Sequence, residues 1–238
     1  MRRHPDRGEA GTVTEHTRRP AGRTAGLPSA RGAAVGRRIG IGLMRGLWRP
    51  RVLGAHRLPA EGAVILAVNH SHMIDGPMLM GTAPRPVHFL IKKEAYVGPL
   101  GTFLRAIGQV EVDRTTADRT AITRALGVLE HGGVLGIFPE GTRGDGDFAE
   151  LRAGLAYFAV RSGAPIVPVA VLGSAERRSR LIPGLPALRS RVDLVFGEPF
   201  QAGDGSGRRT RAALDAATER IQKRLTAHLA DARHTAGR

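Results

Sequence analysis

Residues 69–75, which read NHSHMID, place His70 and Asp75 directly after a short apolar run. That run, residues 63–68, is continuous and partly β-branched, as in a strand that is covered on both faces of an α/β sheet. A helix start is predicted at Asp75, because an aspartate caps a first turn and Pro77 needs no backbone donor there. On such a strand-turn-helix corner, Asp75 can fold back onto the His70 ring.

A carboxylate beside one nitrogen of an imidazole fixes the tautomer of the ring and stabilises its protonated form. The other nitrogen is then free to take a proton from a hydroxyl group. The pair His70 and Asp75 is therefore a candidate base for activating an alcohol, as acyl transfer requires.

Cationic side chains stand at the ends of three further predicted strands. The alternating segment GQVEVDR ends in Arg114, and FPEGTRG carries Arg143 beside glycines that let backbone amides approach an anion. Lys92 and Lys93 end the third strand, in a chain with only three lysines. Ligands of open α/β sheets bind at the carboxyl edge of the strands. These residues therefore indicate an acceptor that bears both a phosphate and a hydroxyl.

The elements that must position these residues alternate along the chain. Strands are predicted near residues 63–68, 87–92, 109–113, 134–139, 165–172 and 191–196. Helices are predicted near residues 76–82, 99–107, 117–130, 149–161 and 208–231. This alternation predicts an α/β fold, with a central mixed and largely parallel sheet flanked by helices.

The composition supports one folded domain and limits its chemistry. A chain of 238 residues with 42% hydrophobic residues can bury one substantial core. Cysteine is absent, which excludes disulfides, thiolate metal sites and a cysteine nucleophile. We expect the domain to span residues 51–232.

The formal charge of +15 is concentrated near the start of the chain, because residues 1–51 hold 12 arginines and three acidic residues. Residues 1–35 lack periodicity and predict a disordered basic tail. Only ten residues are aromatic, so there are few platforms for stacking on nucleic acid bases. We therefore expect an anionic membrane surface as a partner, and no nucleic acid.

Residues 36–50 are predicted to form an amphipathic helix at a membrane interface. Its apolar half carries Ile39, Leu43, Met44, Leu47 and Trp48, and its other half carries Arg38, Arg45 and Arg49. A helix that simply packs on the domain is the alternative, and the glycines in the segment weaken either interpretation. No apolar run is long enough for a spanning helix, and no signal peptide is evident.

The order and spacing of these segments resemble the glycerolipid acyltransferase family, whose best-known members are the 1-acylglycerol-3-phosphate acyltransferases. The resemblance covers roughly residues 50–200. Its first motif, His, four residues, Asp, matches His70 and Asp75. The other blocks match at Gly108, Val112, Asp113 and Arg114, at residues 138–143, and at Ile166, Val167, Pro168 and Val169.

By this resemblance, His70 is the base that deprotonates a glycerol hydroxyl, and Asp75 orients it. The family's middle blocks bind the glycerol phosphate of the acceptor, which assigns substrate binding here to Arg114, Glu140, Gly141, Thr142 and Arg143, with Lys93 as a helper. The implied reaction moves a fatty acyl group from acyl-CoA or acyl carrier protein to 1-acyl-glycerol-3-phosphate, giving phosphatidic acid in phospholipid biosynthesis. Another lysolipid or glycerol-phosphate acceptor is the alternative. No cofactor and no metal are implied, and the expected location is the cytoplasmic side of the membrane, peripheral or monotopic.

Two other classes compete with this interpretation. A serine hydrolase would need a Gly-x-Ser-x-Gly elbow, and the spacing in GDGSG, residues 203–207, does not match it. A zinc site on His70, His72 and Asp75 would lack a fourth ligand cluster and would leave the cations unused. A basic, non-enzymatic binding protein is supported only by the arginine-rich tail.

Overall fold

The computed structural model describes residues 26–116, 118–141, 145–149, 151–176, 179, 185–203 and 210–238. The strands are β1 (Arg49–Leu53), β2 (Val64–Val68), β3 (Val87–Lys92), β4 (Val110–Val112), β5 (Val134–Ile137), β6 (Ile166–Leu172) and β7 (Arg191–Phe196). The helices are α1 (Ala30–Leu47), α2 (Asp75–Thr82), α3 (Gly98–Ala106), α4 (Arg119–Glu130), α5 (Gly154–Ser162) and α6 (Arg211–Ala236).

The seven strands form one mixed sheet in the order β1-β7-β6-β2-β5-β3-β4. Every neighbouring pair is parallel except β6 and β7, which are antiparallel. The fold class predicted from the sequence is therefore confirmed. Because β2, β5, β3 and β4 are consecutive and parallel, the four segments selected for their chemistry leave the sheet along one edge.

Helices cover both faces of the sheet and bury its central strands. Strands β2 and β6 are buried along their whole length. One core cluster joins the sheet to α4, α5 and α6, and the other joins it to α1 and α2. These contacts explain the continuous apolar runs, since a strand covered on both faces has no polar side.

Strand β1 was not predicted, because residues 49–53 read RPRVL and contain neither alternation nor an apolar run. It lies at the edge of the sheet and pairs only with β7, where a proline is tolerated because no partner needs its missing N–H. The Arg51 guanidinium contacts the fully buried carboxylate of Asp193 on β7 at 2.7 Å. A tertiary partner therefore places this strand.

Helix α1 begins at Ala30, six residues before the predicted start, because the Ser29 hydroxyl accepts a hydrogen bond from the Gly32 amide at 2.9 Å and caps it. The apolar side chains of α1, together with Trp48 directly after it, fall into a buried group and an exposed group. Met44 and Trp48 are buried, whereas Val35, Ile39, Leu43 and Leu47 are exposed. The predicted apolar half of this helix is thus divided between the core and the surface.

Glycines let α1 approach the domain closely. A Cβ added at Gly36 would lie 2.9 Å from the Ile107 Cβ, and one added at Gly81 on α2 would lie 2.5 Å from the Gly40 carbonyl oxygen. Two of the glycines that seemed to weaken this helix therefore form its packing face.

We expect Gly81→Ala to lower the free energy of unfolding by about 1–3 kcal/mol, because the new methyl group collides with the Gly40 backbone. Gly42→Ala is the control, since nothing lies within 4 Å of a Cβ at that position. That variant should gain about 0.5–1 kcal/mol from the better helix former. Urea unfolding measures both, and equal effects would contradict the close contact.

Stability should also fall in mild acid because of His228 on α6. Its ring nitrogen Nε2 donates to the Val195 carbonyl at 3.0 Å, and burial lowers the pKa of His228 although that hydrogen bond opposes the shift. Below pH of about 6.5 the unfolded chain binds a proton that the folded protein resists, so stability is lost as pH falls through this range. The slope approaches about 1.4 kcal/mol per pH unit for one group.

Urea unfolding between pH 8 and pH 5 tests this expectation. His228→Gln should flatten the slope, whereas His56→Gln, at an exposed position, should leave it unchanged. An unaltered slope in His228→Gln would show that other groups cause the acid sensitivity.

Candidate active site

The His70 and Asp75 side chains meet at the carboxyl end of β2. His70 Nδ1 lies 3.2 Å from Asp75 Oδ2. The same carboxylate oxygen accepts hydrogen bonds from the Ser71 amide at 2.9 Å and the His72 amide at 2.7 Å. Asp75 is fully buried as the first residue of α2. Asp75 therefore folds back onto the His70 ring as the sequence predicts, and Nε2 is the ring nitrogen that does not contact Asp75. The predicted helix cap at Asp75 is wrong, because Ile74 is the N-cap residue and the Asp75 carboxylate is bound by the loop amides before the helix.

Aromatic stacking fixes the plane of the His70 ring. The ring lies on Phe138, which follows β5, with the two centroids 4.1 Å apart. Phe138 in turn stacks on Phe89 of β3 at 5.6 Å. Because these contacts come from neighbouring strands of the sheet, they hold the imidazole in one orientation.

Glu140 joins the loop after β5 to the loop after β2. One carboxylate oxygen accepts a hydrogen bond from the His70 amide at 3.3 Å, and the other accepts from the Phe148 amide at 3.0 Å. Burial raises the pKa of Glu140, although these two hydrogen bonds oppose the shift. Both oxygens of this predicted substrate-binding residue are thus used by the protein backbone.

Arg114 and Gly141, two other predicted substrate-binding residues, are in contact. The Arg114 guanidinium donates to the Gly141 carbonyl. Gly141 has a φ of +74°, and a Cβ there would lie 2.1 Å from Arg152 Nε, so only glycine fits. Thr142 and Arg143 lie outside the described residues.

The two lysines at the end of β3 have different surroundings. The Lys93 ammonium lies 2.6 Å from the Asp113 carboxylate, and this contact with Lys93, together with hydrogen bonds from Thr115, lowers the pKa of Asp113 to about 2. Lys92, which the sequence did not favour over Lys93, lines the cavity next to His70. The sequence does not indicate which of these two lysines lines the site, because that depends on how β3 ends.

A cavity of about 590 Å³ opens beside the His70 ring. Its polar end is formed by His70, Lys92, Arg114 and Gly141. Its remaining walls are largely apolar and come from α1, α2, β3, α3 and Phe138, including Gly40, Met44, Pro77, Met80, Phe89, Ile91, Leu104 and Ile107. A space with one cationic end and long apolar walls suits an amphipathic molecule with an anionic head.

Large apolar side chains are exposed on the surface, some of them at this cavity, and we call this set the apolar rim. Within the described part of the chain it consists of Val35, Ile39, Leu43, Leu47, Met73, Val97, Leu100, Phe103 and Leu188. Five of these side chains also line the cavity, namely Ile39, Leu43, Met73, Leu100 and Phe103. Part of the cavity lining is therefore both apolar and exposed to solvent. None of the helices described here is both long enough and apolar enough to cross a bilayer.

Comparison with known proteins agrees with this architecture. The chain matches the Acyltransferase family over residues 49–172. It is 30% identical over 177 residues to the 1-acyl-sn-glycerol-3-phosphate acyltransferase of Bacillus subtilis, covering 74% of this chain and 85% of that protein. The enzyme with the same name from Borreliella burgdorferi is 30% identical over 122 residues, which is 50% of this chain and 49% of that protein.

The fold is shared with a solved structure, the 1-acyl-sn-glycerophosphate acyltransferase PlsC from Thermotoga maritima. The TM-score is 0.64 at 24% identity, and the match covers 83% of this chain and 79% of that chain. The protein is therefore a homologue of 1-acylglycerol-3-phosphate O-acyltransferases and belongs to the Acyltransferase family.

Proposed function

We propose that the protein transfers a fatty acyl group from acyl-CoA or acyl carrier protein to the free hydroxyl of 1-acyl-glycerol-3-phosphate, forming phosphatidic acid for phospholipid biosynthesis. The observation that carries this proposal is the position of the His70 and Asp75 pair at the cationic end of an apolar cavity. Such a cavity suits an acceptor with a phosphate, a hydroxyl and an acyl chain. The names of the relatives from Bacillus subtilis and Borreliella burgdorferi support the same acceptor.

In the proposed reaction, Asp75 holds Nδ1 of the His70 ring, and Nε2 takes the proton from the acceptor hydroxyl. The hydroxyl oxygen then attacks the thioester carbonyl carbon. When the carbon–sulfur bond breaks, the thiolate leaves and takes the proton back from His70. No covalent enzyme intermediate is needed, because the thioester is already activated.

The acceptor's phosphate is proposed to bind Arg114 and Arg143, with Lys93 as a nearby positive charge. Gly141 and Thr142 belong to the same proposed phosphate loop. Glu140 is proposed to act indirectly in substrate binding, because its two oxygens already accept hydrogen bonds from the His70 and Phe148 amides. It would set the distance between the phosphate loop and the base.

We also propose that the protein lies on the cytoplasmic surface of the membrane as a peripheral protein. The apolar rim would enter the headgroup region, and the exposed Arg38 and Arg45 of α1 would contact anionic lipids. The acceptor could then enter the cavity from the bilayer through the apolar rim.

Flotation with vesicles that contain anionic lipid tests this location. The double variant Leu47→Glu with Val97→Glu should float less than the native protein, because both side chains are in the apolar rim and outside the cavity lining. Ala216→Glu with Thr226→Glu, at two exposed positions on α6, adds the same two charges elsewhere and should float normally. Equal flotation of all three proteins would contradict the proposed membrane face.

The reaction itself is tested with purified protein, a panel of lysolipids and acyl donors, and mass spectrometry of the products. We expect the fastest product to be phosphatidic acid from 1-acyl-glycerol-3-phosphate. Monoacylglycerol, which lacks the phosphate, should be a poor acceptor. Release of free fatty acid from the thioester without any acylated lipid would instead indicate a hydrolase.

A further inference from the structure

Two arginines, Arg114 and Arg152, contact Gly141, and of these three residues Arg114 and Gly141 line the cavity. Arg114 follows β4 and donates to the Gly141 carbonyl. Arg152 precedes α5, and its Nε lies 2.1 Å from where a Cβ of Gly141 would be. Its own amide donates to the Pro139 carbonyl at 2.8 Å, which holds Arg152 against the same loop. The absence of a side chain at Gly141 thus leaves room for a guanidinium.

Neither guanidinium has an ion pair with a carboxylate in the part of the chain that the structure describes. The arrangement differs from that at Asp193, where a single buried carboxylate contacts Arg51, Arg191 and Arg238. Burial lowers the pKa of Arg114 and the charge of Arg152 lowers it further, whereas the charge of Glu94 opposes the shift. Two like charges held close together repel each other, and an anionic ligand that contacts both reduces that cost.

We propose that Arg152 is a further cation that binds the phosphate of the acceptor together with Arg114, in addition to Arg143 and Lys93. This inference rests on the proposed function and adds to it a residue outside the four sequence blocks. Two guanidinium groups suit a phosphomonoester, because its three terminal oxygens can accept paired hydrogen bonds from both planar forks. A monoanionic or neutral headgroup would use only part of this charge.

The kinetic test compares Arg152→Ala with the native protein on two acceptors, 1-acyl-glycerol-3-phosphate and monoacylglycerol. Loss of a charge-assisted contact should raise the KM for the phosphate acceptor by about tenfold to a hundredfold. The KM for the acyl donor and turnover of monoacylglycerol should hardly change. Arg152→Lys should recover only part of the loss, because lysine keeps the charge without the fork.

Arg161→Ala is the matched control, because it removes the same charge from an exposed position at the other end of α5. It should leave all of these constants unchanged. If Arg152→Ala weakens both acceptors equally, or affects neither, Arg152 does not bind phosphate and the inference is overturned.

A binding measurement separates this inference from the proposed function. Glycerol 3-phosphate should raise the unfolding temperature of the native protein, and Arg152→Ala should reduce that rise while Arg161→Ala does not. If this difference appears but no lysolipid is acylated, the anion site stands and the proposed reaction fails. The opposite outcome is that phosphatidic acid forms while Arg152→Ala and Arg161→Ala behave alike in both the kinetic assay and the unfolding-temperature assay. In that case the proposed reaction is supported and the role of Arg152 is refuted.

Discussion

His70→Ala is expected to lower kcat for acyl transfer by about 10²- to 10⁴-fold, the usual contribution of a general base. The ring Nδ1 lies 3.2 Å from the buried Asp75 carboxylate, so Nε2 is the nitrogen left to accept the proton. An alanine cannot take the hydroxyl proton, whereas binding of both substrates should persist. The measurement is product formation at saturating acceptor and donor, with the KM for each substrate.

Two controls distinguish loss of the catalytic base in His70→Ala from a general loss of structure. His56→Ala removes a histidine from an exposed position and should keep full activity. The unfolding temperature of His70→Ala should stay close to that of the native protein, because the half-buried ring contributes mainly its stacking on Phe138. Turnover near the native rate in His70→Ala would show that another group acts as the base.

Asp75→Asn is expected to lower kcat by about 10³- to 10⁴-fold, as for other carboxylates that orient a histidine base. The amide oxygen can still accept hydrogen bonds from the Ser71 and His72 amides, so the loop should keep its shape. The neutral side chain, however, no longer stabilises the protonated ring of His70. The loss should therefore appear in kcat and leave the KM for the acceptor nearly unchanged.

Asp75→Ala separates the electrostatic role from the structural one. It removes the acceptor of both loop amides as well as the charge, so its unfolding temperature should fall, whereas that of Asp75→Asn should not. Asp215→Asn, at an exposed site on α6, is the control for loss of one carboxylate. If Asp75→Asn retains native kcat, the carboxylate only holds the loop and the proposed dyad is wrong.

Local patterns were sufficient to predict most of the fold. The six predicted strands correspond to β2 through β7, because each is an apolar or alternating run between turn residues. The turn between His70 and Asp75 could also be predicted, since a buried strand followed by a helix start leaves few paths for the chain. The final helix was predicted too, although Leu214 is only half-buried while Ile221, Leu225 and Leu229 are buried.

Features that depend on distant partners were not predictable from these patterns. Strand β1 lacks a strand pattern and is held by β7 and by the contact between Arg51 and Asp193. The position of Arg152 beside Gly141 requires the loop after β5 to return to the start of α5, which no spacing in the sequence indicates.

The sequence by itself determined the order of β2 to β7 and of the helices between them, the pairing of His70 with Asp75, and the family resemblance, because each depends on short segments and on their order along the chain. Only the tertiary structure decided which side chains of α1 are buried and which form the apolar rim, and that Lys92 lines the cavity while Lys93 contacts Asp113. A helical pattern indicates an apolar face but not what covers it. That depends on the close approach of α1 and α2 at Gly40 and Gly81, which brings together segments about 40 residues apart in the chain.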